Sequence, residues 1–104
     1  MCEAGGGTAT GTVLIENERV RVTEWHFAAR GDNTGWHRHD YDYVVVPKFD
    51  GILEVDSGGD APSRVETRAD APYFRERGVE HDVINGNDFP CAFVEIELLE
   101  NGRG

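Results

Sequence analysis

This chain is short of cysteine, of basic charge and of long apolar runs, and each shortage removes a class of protein. The two cysteines, Cys2 and Cys91, stand in no CxxC pair. A disulfide framework is therefore not expected, which suits a reducing cytoplasm. Ten Lys and Arg face 20 Asp and Glu, for a net charge of -10. The bases are scattered, and such a surface repels a duplex or an anionic membrane, so neither nucleic acid nor membrane is an expected partner. No stretch approaches the roughly 20 apolar residues of a spanning helix. The opening residues, Met1 to Gly7, have neither the basic nor the apolar region of a signal peptide. No window carries a convincing helical period, and no glycine-rich phosphate loop follows a strand.

What remains is β signal. In 104 residues with 38% hydrophobic content there is room for one core and one domain. Residues 1–11, rich in Gly, Thr and Ala, read as a flexible N-terminal arm; residues 12–100 read as the domain and 101–104 as a tail. Within the domain, runs of Val, Ile, Phe and Tyr alternate with Gly, Asp, Asn and Pro. Eight strands are expected: Val13 to Ile15, Arg19 to Phe27, Gly35 to Val46, Gly51 to Asp56, Arg64 to Thr67, Tyr73 to Arg75, His81 to Asn85 and Ala92 to Leu99. Many short strands with turns between them point to an all-β sandwich or closed barrel.

The chemistry sits in the histidines. His37-Arg38-His39 places two imidazoles two residues apart, hence on one face of a strand. The same parity puts Tyr41, Tyr43 and Val45 on that face, polar at one end and apolar at the other, as the mouth of a small barrel should be. His26 has no partner at a ligand spacing and reads as an ordinary strand residue. Trp36, of opposite parity, should lie outside the pocket. Glu95, Glu97 and Glu100 alternate with Val94, Ile96 and Leu98, which reads as a strand with one core face and one solvated or interface face, not as a site.

Gly31, then His37-x-His39, then a Val-rich strand ending at Gly51, resembles the first motif of the cupins; Gly78-x-x-His81-x-x-x-Asn85 resembles the second. The resemblance covers roughly residues 13 to 99 and is nearest the small single-domain bacterial cupins. It implies a jelly-roll barrel, the double-stranded β-helix, with one divalent metal (Fe, Zn, Ni or Mn) on His37, His39 and His81. The family's usual fourth ligand, a Glu four residues after the second His, is replaced by Tyr43. Asp70 stands where the family has Gly, and Glu76 where it has Pro. Gly31, Gly51 and Gly78 read as turns needing unusual backbone angles.

Three neutral imidazoles without a carboxylate leave the ion its full charge and an open position, which favours anionic ligands. The expectation is a metal-dependent protein acting on a small organic anion, with dioxygenase-type chemistry ranked ahead of lyase or isomerase chemistry. Tyr43 and Tyr41 are the candidate catalytic groups, as hydrogen-bond donors or general acid. Arg75 is the candidate for a substrate carboxylate. The competing reading is a non-catalytic binding module, a sensor or a structural dimer with a degenerate site. A homodimer is expected in either case, because a small barrel gains buried surface by pairing.

Overall fold

The computed structural model describes residues 7–59 and 61–99. Among them are nine strands: β1 (Thr10–Glu16), β2 (Val20–Phe27), β3 (His37–Arg38), β4 (Tyr43–Pro47), β5 (Gly51–Asp56), β6 (Ser63–Thr67), β7 (Tyr73–Arg75), β8 (Glu80–Asn85) and β9 (Cys91–Leu98). They form two antiparallel sheets, β1-β2-β9-β4-β7 and β3-β8-β5-β6. No described residue is helical. The architecture is the expected all-β jelly roll.

The core is built by alternation. Trp25 and Phe27 of β2, Tyr43 and Val45 of β4, Leu53 of β5, Val83 of β8, and Cys91 and Phe93 of β9 all point inward, joined by Phe49. Phe27 and Phe93 meet with ring centroids 5.7 Å apart; burying each such side chain contributes about 2 kcal/mol. Beside them, the buried Asn85 amide donates to the carbonyls of Ala29 and Phe89 (3.1 and 3.0 Å) and its oxygen accepts from Asn87 N–H (2.8 Å). Its reading as a structural residue holds.

Three expectations are corrected here. The expected strand from Gly35 to Val46 is two strands in different sheets. The chain leaves the ladder at residues 40–42. There Asp42 accepts Arg77 N–H at 2.9 Å, its carbonyl accepts Leu98 N–H, and His39 exchanges backbone bonds with Val79 and Gly78. Burial parity nevertheless survives the break: His37, His39, Tyr43 and Val45 are buried, while Tyr41 is only half-buried. The expected arm is also shorter than residues 1–11. Thr10 and Gly11 pair with His26 and Trp25, Ala9 N–H donates to Asn33 O, and the Thr8 hydroxyl donates to Asp32 at 3.1 Å. Residues 1–6 and the tail 101–104 lie outside the described residues. Finally, Gly51 has no positive φ, unlike Gly31 and Gly78 (φ 88° and 97°). It is required for space, because a Cβ there would sit 2.5 Å from Asn87 Oδ1. Asp70, in the family's Gly position, does adopt φ 64°, a backbone conformation Asp tolerates better than most residues.

Candidate metal centre

His37 and His81 are direct cross-strand partners between β3 and β8, so the sheet register itself sets one imidazole beside the other. His39 follows two residues on, where His39 N–H and C=O are held by Val79 and Gly78 at 2.8 Å each. All three side chains are buried. Their rings lie nearly perpendicular to one another, with centroids 4.7, 4.8 and 5.1 Å apart and interplanar angles of 77°, 74° and 86°. His37 Nδ1 donates to Gly35 O at 2.8 Å, which fixes the tautomer and leaves Nε2 as a lone pair. That Nε2 stands 3.0 Å from His39 Nε2. His81 Nε2 is buried and has no hydrogen-bond partner.

These features fit a metal. Nitrogens bound at about 2.1 Å to one ion stand about 3.0–3.4 Å apart, and a buried lone pair without a donor is otherwise a net cost. The protonation states agree. Burial, followed by the neighbouring His37 and His81, lowers His39 to about 3. Burial, followed by His37, lowers His81 to about 4, with Arg75 adding to the effect. Both rings are neutral at pH 7 and available as ligands.

His39 and His81 open onto a cavity of about 220 Å³. Its inner wall is apolar, with Val45, Leu53, Val83 and Phe93; Ser57, Ser63, Tyr73 and Arg75 add polar groups. Tyr43, in the place of the family's Glu, also faces the cavity and stacks on His39 with centroids 3.9 Å apart and planes at 15°. Arg75 is exposed at the end of β7; its guanidinium covers the Tyr73 ring at 4.4 Å and donates to Phe74 O. Tyr41 is not part of the cavity wall, because the break at residues 40–42 takes it out of β3 and β4. His26 is an exposed strand residue outside the cavity wall, and Trp36 is exposed outside it as well, as expected.

The sequence reading missed two acids. Glu95 and Glu97 point into the barrel, 4% and 1% exposed, while Val94, Ile96 and Leu98 face outward. The acidic face of β9, expected to be solvated or at an interface, is the buried one. Glu97 accepts from Arg21 Nε at 2.7 Å, a pair set by the register of β2 and β9. Glu95 lines the cavity 4.0 Å from His39 Nδ1. Burial, reinforced by Glu97 and opposed by Arg21, pushes its carboxyl up to about 8. The signal that finds the pair is Arg21: it alternates with Thr23, Trp25 and Phe27 on the inward face of β2, and a buried guanidinium requires an acid.

The chain is 46% identical over 97 residues to the β-alanine degradation protein BauB of Pseudomonas aeruginosa, an alignment covering 91% of this chain and 98% of that protein. It is 47% identical to a cupin domain from Bordetella pertussis Tohama I, with a TM-score of 0.83 over 88% of this chain and 94% of that one. The protein belongs to the cupins. An RmlC-like cupin with a double-stranded β-helix fold from Methanocaldococcus jannaschii shares the fold at 14% identity, with a TM-score of 0.70 over 94% and 88% of the two chains. No family model matches the sequence. Within this cupin the three histidines expected from the two motifs form one group whose ligand atoms lie within 4.8 Å of one another.

Proposed function

We propose that this cupin acts on a small organic anion with one divalent transition metal held by His37, His39 and His81. The observation that carries the reading is the convergence of three buried rings in which His81 Nε2 has no partner within the protein. When bound, such an ion supplies a Lewis acid or, as iron, a dioxygen-binding centre, and dioxygenase-type chemistry ranks first. The chain's own residues do the rest. The apolar wall of Val45, Leu53, Val83 and Phe93 excludes water, and Arg75 receives a carboxylate from the solvent side. Tyr43 holds His39 in plane and offers a phenol toward the cavity. A volume of about 220 Å³ suits a molecule of a few carbons. The relative's role in β-alanine degradation supports a short amino acid or an acid derived from one. A cytoplasmic setting fits the buried free thiol of Cys91, which burial pushes up to about 11 and so keeps unreactive.

Metal counting on wild type, His37→Ala and His81→Ala tests this directly. One metal per wild-type chain, lost in both variants, is expected. Wild type that stays empty after titration with Fe(II), Zn(II), Ni(II) and Mn(II) would overturn the reading and favour the second one, a metal-free binding module. Tyr43 in place of a carboxylate is the observation on that second side.

We also propose a homodimer. Ile15, Val22, Ile96, Val44 and Phe74 fall in register across all five strands of one sheet, on its outer face. Val13, Leu14 and Ile15 of edge strand β1 are each more than half exposed. An apolar outer row ending in an exposed apolar edge is the surface a second copy covers. Light scattering should give a dimer that Ile96→Glu converts to monomer; a wild-type mass of 11.5 kDa would sink the proposal.

A further inference from the structure

Two buried groups face each other across 4.0 Å without bonding: His39 Nδ1, which has no hydrogen-bond partner, and Glu95 Oε2. His39 presents its other nitrogen to His37, at 3.0 Å. One edge of the ring thus belongs to the metal group and the opposite edge to Glu95. The acid reaches this place by register, since Glu95 of β9 is the cross-strand partner of Val45 in β4, two residues beyond Tyr43. Its neighbour Glu97 bonds Arg21 through Oε1 and keeps a buried Oε2 without a partner, and the Glu95 side chain is 6% exposed.

We propose that Glu95 is the positioning residue for the metal ligand His39, accepting its Nδ1–H so that Nε2 is held toward the ion. This rests on the three-histidine metal reading and extends it. His37 is oriented by the carbonyl of Gly35; His39 has no carbonyl in that role, and Glu95 is the acceptor within reach. A side-chain adjustment of about 1 Å converts the present separation into a hydrogen bond. The family's usual carboxylate comes from the first motif and ligates directly. Here the carboxylate comes from the last strand and acts through the ring. It supports the ring from outside without occupying the ion's open position, which stays available to an anionic ligand.

The test is Zn(II) affinity, by competition with a chromophoric chelator, for wild type, Glu95→Gln, Glu95→Ala and the surface control Lys48→Ala. It is run beside ¹⁵N spectra of the histidine rings in the Zn-loaded proteins. Loss of such an orienting partner lowers metal affinity about 10- to 100-fold. Glu95→Ala should show that loss, Glu95→Gln a smaller one, and Lys48→Ala none. The His39 Nδ1–H signal should shift in both Glu95 variants. The isosteric Gln variant keeps the packing, so the comparison survives if the Ala variant folds poorly. Wild-type affinity and an unchanged His39 spectrum in Glu95→Gln and Glu95→Ala would overturn the proposal. Wild type that binds no Zn(II) would instead overturn the metal reading beneath it.

Discussion

Strand β9 crosses the barrel from Cys91 and Phe93, packed with Phe27 and Trp25, to Glu95 and Glu97, buried beside His39 and Arg21. Both halves are equally hidden from water, yet they are held by different physics. At the first end, burial is itself the stabilising term, because aromatic and aliphatic surface leaves water. At the second, burial is the cost, and only specific partners offset it. The apolar end needs shape and tolerates a change of pH; the charged end needs partners and does not. One strand of this barrel is thus held by apolar burial at one end and by specific partners at the other.

The largest expected effect is at the apolar end. Phe93→Ala removes a ring that meets Phe27 at 5.7 Å, and should cost about 4 kcal/mol of unfolding free energy. Denaturant melts at pH 5.5 and 7.5 should show the same loss at both. A loss that changes between the two would mean that the apolar end, too, depends on titrating groups.

Arg21→Met tests the other end. Arg21 is the ion-pair partner of Glu97 at 2.7 Å, with side chains 14% and 2% exposed. Removing it leaves a buried acid uncompensated, and about 3 kcal/mol should be lost. Adding Glu97→Leu should recover most of that, since replacing both members of a buried pair with apolar groups is close to neutral. No comparable rescue exists for Phe93→Ala. If the double variant is no better than the single one, the pair does more than neutralise itself.

The two ends also differ in how far the sequence discloses them. The strands could be read because alternation and turn residues are local signals, and seven of the eight expected strands appear within a few residues of their places. The three-histidine group was legible in two steps: strand parity set His37 and His39 on one face, and the resemblance to the second cupin motif, with its Gly and Asn, supplied His81. Glu95 and Glu97 were not legible. Parity alone cannot say which face of β9 is inward, and the usual rule, apolar residues inward, gives the wrong answer where an outer sheet face is aliphatic. The answer lies in Arg21, 76 residues away from Glu97 in sequence. Tyr41 falls outside the cavity wall because the strand expected through residues 40–42 is broken there, where the Asp42 carboxylate holds the Arg77 backbone. That break depends on a contact between distant segments, which no local pattern announces.

A third effect follows from the titrating groups of the charged end in metal-free protein. Burial lowers His39 and His81 to about 3 and about 4, below the unfolded value near 6.5. Below pH 6.5 the unfolded chain takes up protons that the folded chain refuses, so stability falls with acidification. Between pH 6 and 5 the loss should be about 2 kcal/mol for two groups. Glu95 works in the opposite sense: raised to about 8, it keeps its proton while the unfolded chain has lost it, so stability falls as pH rises from about 4.5 toward 8. Urea melts across this range should therefore show the metal-free protein losing stability on both sides. Glu95→Gln should flatten the alkaline side alone, and saturating Zn(II) should restore stability most strongly where both histidines are neutral. An alkaline limb that persists in Glu95→Gln would place its cause elsewhere.

The smallest effect sharpens the comparison most, because distance is held constant. Lys48 and Glu24 form an ion pair at 2.7 Å, the same separation as Arg21 and Glu97. The difference is solvent: Lys48 and Glu24 side chains are 52% and 29% exposed. In water the Coulomb gain nearly matches the hydration and side-chain entropy given up, so such pairs contribute about 0.5 kcal/mol. A double-mutant cycle with Lys48→Ala and Glu24→Ala should return a coupling of that size, reduced further in 0.5 M salt because the screening length is then below about 5 Å. The same cycle on Arg21 and Glu97 should return several times more and respond little to salt. Equal couplings at the two sites would mean that water reaches the charged end of the barrel. The cost of burying Glu95 beside His39 would then be far smaller than its surroundings imply.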